Sequence, residues 1–219
     1  MYQKGGRLKT SPLFLKEEFM DKLGIINKAL LKLGQSPISS LDDKDNKTVC
    51  ALALYDSVRD VEQTSFRWTF CTKRFVLEPL TMKSPDGLEV VHVKPAFGYE
   101  YQYLLPKGFL RLISIAGTKQ MGYTIEGNSL LINNEGPLHI IALCTEQCEQ
   151  KFPPAFVEVF ATKLAIELCK RLEQDVRTKA DLKQDYDYAL MVAKKTDAIQ
   201  RAVIPVPDGP WIDNRFTDI

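Results

Sequence analysis

Hydrophobic positions change period twice along this chain. From about Glu17 to Leu33, the residues Leu23, Ile26, Leu30 and Leu33 recur at helical spacing, and Gly34 follows as a stop. The spacing predicts a first amphipathic helix. The stretch QSPISSLDDKDN then gathers Pro37, Ser39, Ser40 and the Asp42–Asp43 pair, which predicts an extended turn whose acidic end caps a second helix. That helix is expected over about 44–65, with Val49, Leu52, Ala53, Tyr55 and Val58 as its buried stripe and Arg59, Asp60 and Glu62 in a more polar later part. Phe66, Trp68 and Phe70 close it in an aromatic cluster.

After Cys71 the runs FVLEPL, LEVVHV, YEYQYLL, FLRLISI, YTIEG, SLLIN and HIIALC are short, rich in β-branched and aromatic residues, and bounded by Gly, Pro and Asn. This middle third is predicted to be β-structure. Glu126-Gly127-Asn128 marks its clearest hairpin, because Gly and Asn tolerate positive φ, and Leu138 to Leu143 is expected to supply a neighbouring strand. Helical spacing resumes at Phe152-Pro153-Pro154, with Phe156, Phe160, Leu164, Leu168 and Leu172 every four residues along a core helix. Thr178 and Asp181 resemble a capping box before a fourth helix over about 179–202, whose inward face is Leu182, Tyr186, Ala189 and Ala193. The last stretch, VIPVPDGPWIDNRFTDI, is too rich in proline to continue that helix.

These elements predict an α+β fold. The expected arrangement is a four-helix-type bundle formed by the N- and C-terminal helix pairs, with a central antiparallel β insertion projecting from it. The corresponding segments are a flexible N-terminal arm at 1–16, a helical bundle domain from 17–70 and 150–202, a β-rich insertion domain at 71–149, and an extended C-terminal tail at 203–219.

Composition narrows the function more by exclusion than by selection. Twenty-nine Lys and Arg against 28 Asp and Glu leave no overall field of the kind non-specific DNA binders use. No signal-peptide pattern and no run of membrane-spanning length is evident, so a soluble form is expected. Cys50, Cys71, Cys144, Cys148 and Cys169 form an odd, scattered set that suits a reducing cytosol. Cys144-x-x-x-Cys148 with His92 and His139 is a poor zinc set, since the histidines belong to separate β-runs. There is no Gly-x-Ser-x-Gly elbow, and Gly5-Gly6 lacks the context of a phosphate loop. Asp42, Asp43 and Asp45 read as helix capping rather than a calcium loop, and Asp181, Asp185 and Asp187 as a solvated or inter-subunit face. Tyr99, Tyr101 and Tyr103 alternate as base-stacking residues do, but Glu100 and Gln102 between them favour a packing or subunit-contact face. No catalytic, cofactor-binding or metal-binding residue is assigned, and no cofactor is expected.

Three ordered segments carry a resemblance: INKALLKLGQSPISSLDD (Ile26 to Asp43), RDVEQTSFRWTF (Arg59 to Phe70) and YEYQYLLPKGFLRLISI (Tyr99 to Ile115). Together they resemble the podophage tail tubular protein A family and related head-to-tail adaptors, including those of gene transfer agents. Leu33, Gly34, Pro37, Ile38, Ser40 and Leu41 match the family's Leu-Gly-x-x-Pro-Ile/Val-x-Ser-Leu turn. Trp68 and Phe70 match its Trp-x-Phe element, and Tyr101, Tyr103, Leu105 and Pro106 its tyrosine-rich strand, with Leu104 as an added residue. These are scaffold positions. The match covers roughly residues 20 to 200 and is strongest in the first half.

The resemblance implies a structural virion protein of a bacteriophage, not an enzyme. It implies a homo-oligomeric ring, commonly of about twelve copies, beneath the portal protein and above a tail nozzle or other tail protein. Genomic DNA is then expected to pass through the lumen without sequence-specific binding, with no membrane involved. The resemblance further implies a protein made in the bacterial host cytoplasm and located in the virion at the head-tail junction. Pro205, Pro207, Trp211, Ile212 and Phe216 are the expected portal or neighbour docking residues. Another connector or stopper ring is the alternative within virion proteins, and a cytosolic enzyme without a recognisable motif is the alternative outside them.

Overall fold

Four helices form where helical spacing occurs: α1 (Lys22–Lys32), α2 (Asn46–Ser65), α3 (Pro154–Cys169) and α4 (Val176–Ile199). The computed structural model describes residues 20–83, 90–117, 122–172 and 176–201 of the chain. α1 starts at Lys22 rather than near Glu17 because the Asp21 carboxylate caps it, accepting the Gly24 N–H at 2.7 Å. It stops at Gly34, whose φ of 69° lets the chain turn left-handed while Gln35 N–H returns to the Leu30 carbonyl. Asp45 is the N-cap position of α2 but makes no side-chain capping bond. The acidic turn is held otherwise, by Ser40 N–H to the Asp43 carboxylate and Asp42 N–H to the Ser40 hydroxyl. α4 already runs at Val176, so Thr178 lies inside the helix and the expected Thr178–Asp181 cap does not form its start.

The bundle expectation is overturned. α3 is apolar on nearly every side, burying Phe156, Phe160, Leu164 and Leu168 together with Val157, Val159, Ala161 and Ala165. A helix of that kind belongs at the centre. α1, α2 and α4 each pack on α3, whereas α1 and α2 share few contacts, so there is no N-terminal pair opposed to a C-terminal pair. The physical reason is that α1 has one narrow stripe (Ile25, Ile26, Ala29, Leu30), and the buried face of α2 is broken by Thr48 and Glu62. Both therefore pack on α3 rather than on each other. The expected stripe of α2 is also shifted. Val49 and Ala53 face outward, and the buried line is Thr48, Ala51, Tyr55, Val58 and Glu62.

Eight strands occur among the described residues: β1 (Thr72–Leu77), β2 (Thr81–Lys83), β3 (Val90–His92), β4 (Tyr101–Leu104), β5 (Phe109–Ile115), β6 (Tyr123–Glu126), β7 (Ser129–Ile132) and β8 (Leu138–Cys144). They form two three-stranded antiparallel sheets, β1-β8-β5 and β4-β7-β6, and a β2-β3 ribbon. The β6-β7 hairpin turns at Gly127-Asn128 with Gly127 at φ 58°. Its second neighbour is β4. The Leu138 strand pairs instead with β1 and β5 in the other sheet.

β8 explains the layering. Leu143 joins the helical core, where Cys71, Leu110 and Ile113 also pack. Leu138, Ile140 and Ala142, on the opposite face by strand alternation, join Tyr103, Leu105, Leu130 and Ile132 in a second core. The sequence of layers is therefore helices, the β1-β8-β5 sheet, and the β4-β7-β6 sheet. The β-region is a wall of the helical core rather than a single sheet projecting from it.

Candidate functional site

The groups with chemical potential stay apart or are consumed in packing. Cys71 and Cys144 are buried, and burial pushes the Cys71 thiol up to about 12 and raises that of Cys144, so neither is a thiolate nucleophile. Among the described residues, no three His, Cys, Asp or Glu side chains gather where they could hold a metal ion. His92 packs edge-on against the Tyr101 ring at 5.4 Å, and His139 stands exposed on β8. Asp181, Asp185 and Asp187 are solvated on α4. Tyr103 is fully buried and its hydroxyl lies 2.6 Å and 2.8 Å from the Asn134 and Gly136 carbonyls, while the Tyr99 hydroxyl meets Thr124 at 2.8 Å. The tyrosine row packs within its own layer, as its acidic and amide neighbours suggest.

A polar seam joins the helices to the sheet, and none of its carboxylates was assigned a structural role from sequence. Glu62 on α2 is 2% exposed, accepts the Tyr186 hydroxyl at 2.9 Å, and its backbone carbonyl accepts the Trp68 indole N–H at 2.8 Å. Burial raises the Glu62 carboxyl above its ordinary value despite the Tyr186 bond and nearby Lys163 and Lys194. Burial likewise raises the Tyr186 hydroxyl, with the Glu62 charge adding to it. Gln63 clasps the Glu146 backbone in both directions, at 2.9 Å and 3.0 Å, tying α2 to the connection between β8 and α3. Burial alone would raise the Glu146 carboxyl, but the Cys148 N–H, Lys151 and Lys73 outweigh it and hold the group below its ordinary value. Asp197 on α4 accepts both the backbone N–H and the hydroxyl of Thr69, at 2.8 Å and 2.7 Å, and pairs with Arg201. Arg201 also donates to the Arg67 carbonyl.

Because these acids are each bonded to a specific neighbour, the seam orients elements rather than offering a free acid or base. Glu62 is expected from sequence in the polar later part of α2 but is buried; the signal that marks it is its place after Thr48, Ala51, Tyr55 and Val58 at alternating three- and four-residue steps of the helical period.

The surface is more informative. α4 buries Leu182 and Ala193 but exposes Tyr188 (67%), Met191 (60%) and Ile199 (77%) on other faces. Between α1 and α4 a groove of about 320 Å³ is lined by Lys32, Ala155, Glu158, Asp185, Tyr188, Ala189 and Val192. Glu158 at its floor bridges Lys28 and Lys32 at 2.5 Å each, and these two ammonium groups outweigh burial in lowering its carboxyl. α2 exposes Val49 and Val61.

The motif residues of the resemblance fall into two separate places. Leu33, Ile38 and Trp68 are buried in the helical core, with Leu41 and Phe70 packed against it, and the Asn27 amide clamps Ile38 by bonds at 2.8 Å and 3.0 Å. Tyr101, Tyr103 and Leu105 belong to the second core, and Pro106 follows them. The added Leu104 sits at the end of β4, 54% exposed, with the pairing to β7 unbroken. Pro205, Pro207, Trp211, Ile212 and Phe216 lie outside the described residues. No protein-family model matches the chain, and no curated protein matches it at a significant level.

Proposed function

We propose that this chain is a structural subunit of a bacteriophage-type virion, one copy of a head-to-tail adaptor ring joining the portal protein to the tail. Copies, about twelve, meet side to side through heterologous contacts that close around the DNA channel. The ordered resemblance supports this reading, and one structural observation carries it furthest. α4 shows large apolar side chains on a face turned away from its own core, while α2 exposes Val49 and Val61 singly, on opposite flanks of its buried stripe and about 120° apart around the helix. An uncovered apolar helix face such as that of α4 is what a subunit contact in a ring uses. The chain performs no catalysis in this reading, and DNA traverses the lumen without sequence readout. Residues 203–219, with Trp211 as anchor, serve as the tether to the portal or a neighbour. None of the described helices is long and apolar enough to cross a membrane.

Electron microscopy of the purified chain, alone and mixed with its portal, tests the proposal. Closed rings seated on the portal are expected. Portal particles that stay bare at saturating chain would refute it, as would normal attachment by a chain lacking residues 203–219 for the tether.

A further inference from the structure

A groove of about 260 Å³ lies on the β1-β8-β5 sheet, on the side that faces the helices but beyond the helical layer. Strand alternation places it there. Leu143 points into the helical core, so Ile141 and His139, two and four residues earlier on β8, point the same way. Across the ladder Arg74 pairs with Ile141 and Val76 with His139, which brings these four side chains onto one face. Helices do not cover them: Val76 is 58% exposed, and Arg74 and His139 are exposed too. The groove is apolar at its floor, basic at its rim, and none of the residues lining it is acidic. Because β1 is the edge strand, one side of the groove is open.

The last turn of α4 is fastened beside the start of that same strand. Asp197 and Gln200 bond Thr69, and Arg201 donates to the Arg67 carbonyl, so the chain leaves the helical layer next to the residues leading into β1. From Thr72, Arg74 and Val76 stand only ~7 Å and ~13 Å along the strand at ~3.3 Å per residue. The 18 residues after Arg201 can span up to ~60 Å when extended. Reach is ample. Their chemistry also complements the groove. Asp208, Asp213 and Asp218 outnumber the single Arg215, and Trp211 and Phe216 stand between them.

We infer that residues 203–219 fold back within the same chain and fill this groove as an intramolecular strap. Trp211 and its apolar neighbours lie on Val76 and Ile141, and the aspartates meet Arg74 and His139. The strap does not depend on the ring reading. It holds the segment on its own subunit until something binds either the groove or the segment more tightly.

Fluorescence quenching tests this directly, since the chain has two tryptophans and Trp68 is 1% exposed. Subtracting the signal of Trp211→Phe isolates Trp211 in the full chain. Acrylamide should quench Trp211 poorly in the native protein. The surface variant Arg74→Glu/Val76→Asp should lower the docked-to-undocked ratio about tenfold or more, exposing Trp211 while Trp68 stays shielded. Ready quenching of Trp211 in the native chain would overturn the inference, as would shielding that survives the double substitution. Shielding that grows with protein concentration would also overturn it, because the groove would then hold a neighbour's segment.

Discussion

Replacing Asp197 with alanine tests how α4 is held in place. The helix packs Leu182, Tyr186, Ala189, Leu190 and Ala193 on the core, and its C-terminal turn is fixed in addition by the buried Asp197. Asp197 is 6% exposed, and its Oδ1 receives two hydrogens from Thr69, one from the backbone and one from the hydroxyl. Hydrogen bonds to a charged acceptor contribute about 1.5–3 kcal/mol, and a backbone N–H left without a partner in a half-buried setting adds to the loss. Asp197→Ala should therefore cost about 3 kcal/mol, lowering Tm by roughly 6–12 °C in a domain of this size. Asp197→Asn keeps the Oδ1 acceptor and loses only the charge opposite Arg201, so its cost should be about 1 kcal/mol. Urea denaturation followed by far-UV circular dichroism reads both. An alanine variant within about 0.5 kcal/mol of the native chain, or an asparagine variant as damaging as alanine, would refute the anchoring argument.

Three further outcomes are expected. Because the folded-state value of Glu62 lies above its ordinary 4.5, the folded chain binds that proton more tightly than the unfolded one. Stability from this group is thus present at low pH and declines as pH rises from the ordinary value through the folded one. Glu62→Gln, which still accepts from Tyr186, should remove that decline, and its gain in Tm over the native chain should grow with pH; a constant or shrinking gain contradicts this. Phe156→Ala removes a ring packed against Trp68, Phe70, Phe152 and Phe160 and should cost about 3–5 kcal/mol, seen as a drop in Tm of roughly 6–20 °C. Tyr188→Asp/Met191→Asp alters only exposed positions, so Tm should move little while ring formation, followed by light scattering with the portal present, is abolished.

What the sequence made legible was local. Phe156, Phe160, Leu164 and Leu168 announced a core helix, Gly127-Asn128 announced a hairpin, and Gly34 announced a stop, because each depends on neighbours a few residues away. What stayed hidden was long-range. Thr69 and Asp197 are 128 positions apart, and Gln63 and Glu146 are 83 apart, so nothing in either segment alone marks the partnership. The same blindness led to the bundle expectation. Four amphipathic helices are compatible with paired packing, and only the nearly uniform apolarity of α3 decides that the others gather around it. In α2, hydrophobicity alone points Val49 and Ala53 inward, whereas the true stripe admits Thr48 and Glu62 because both lie on the correct arc of the helix.

β8 has one further implication. Its alternate side chains serve two different cores, so the strand acts as the party wall between the helical layer and the β4-β7-β6 layer. Opening either layer strips one face of a strand whose other face is still engaged, and both neighbours β1 and β5 must then let go. Disorder that begins on one side therefore cannot stop at the wall. The amides of Ile140 to Leu143 would exchange with solvent only when the whole molecule opens, while the edge strand β6 can fray by itself. A force applied at the hairpin tip is in the same way handed to the helices through the β1-β8-β5 sheet, where β5 too sends Leu110 and Ile113 to one core and Leu112 and Ile115 to the other.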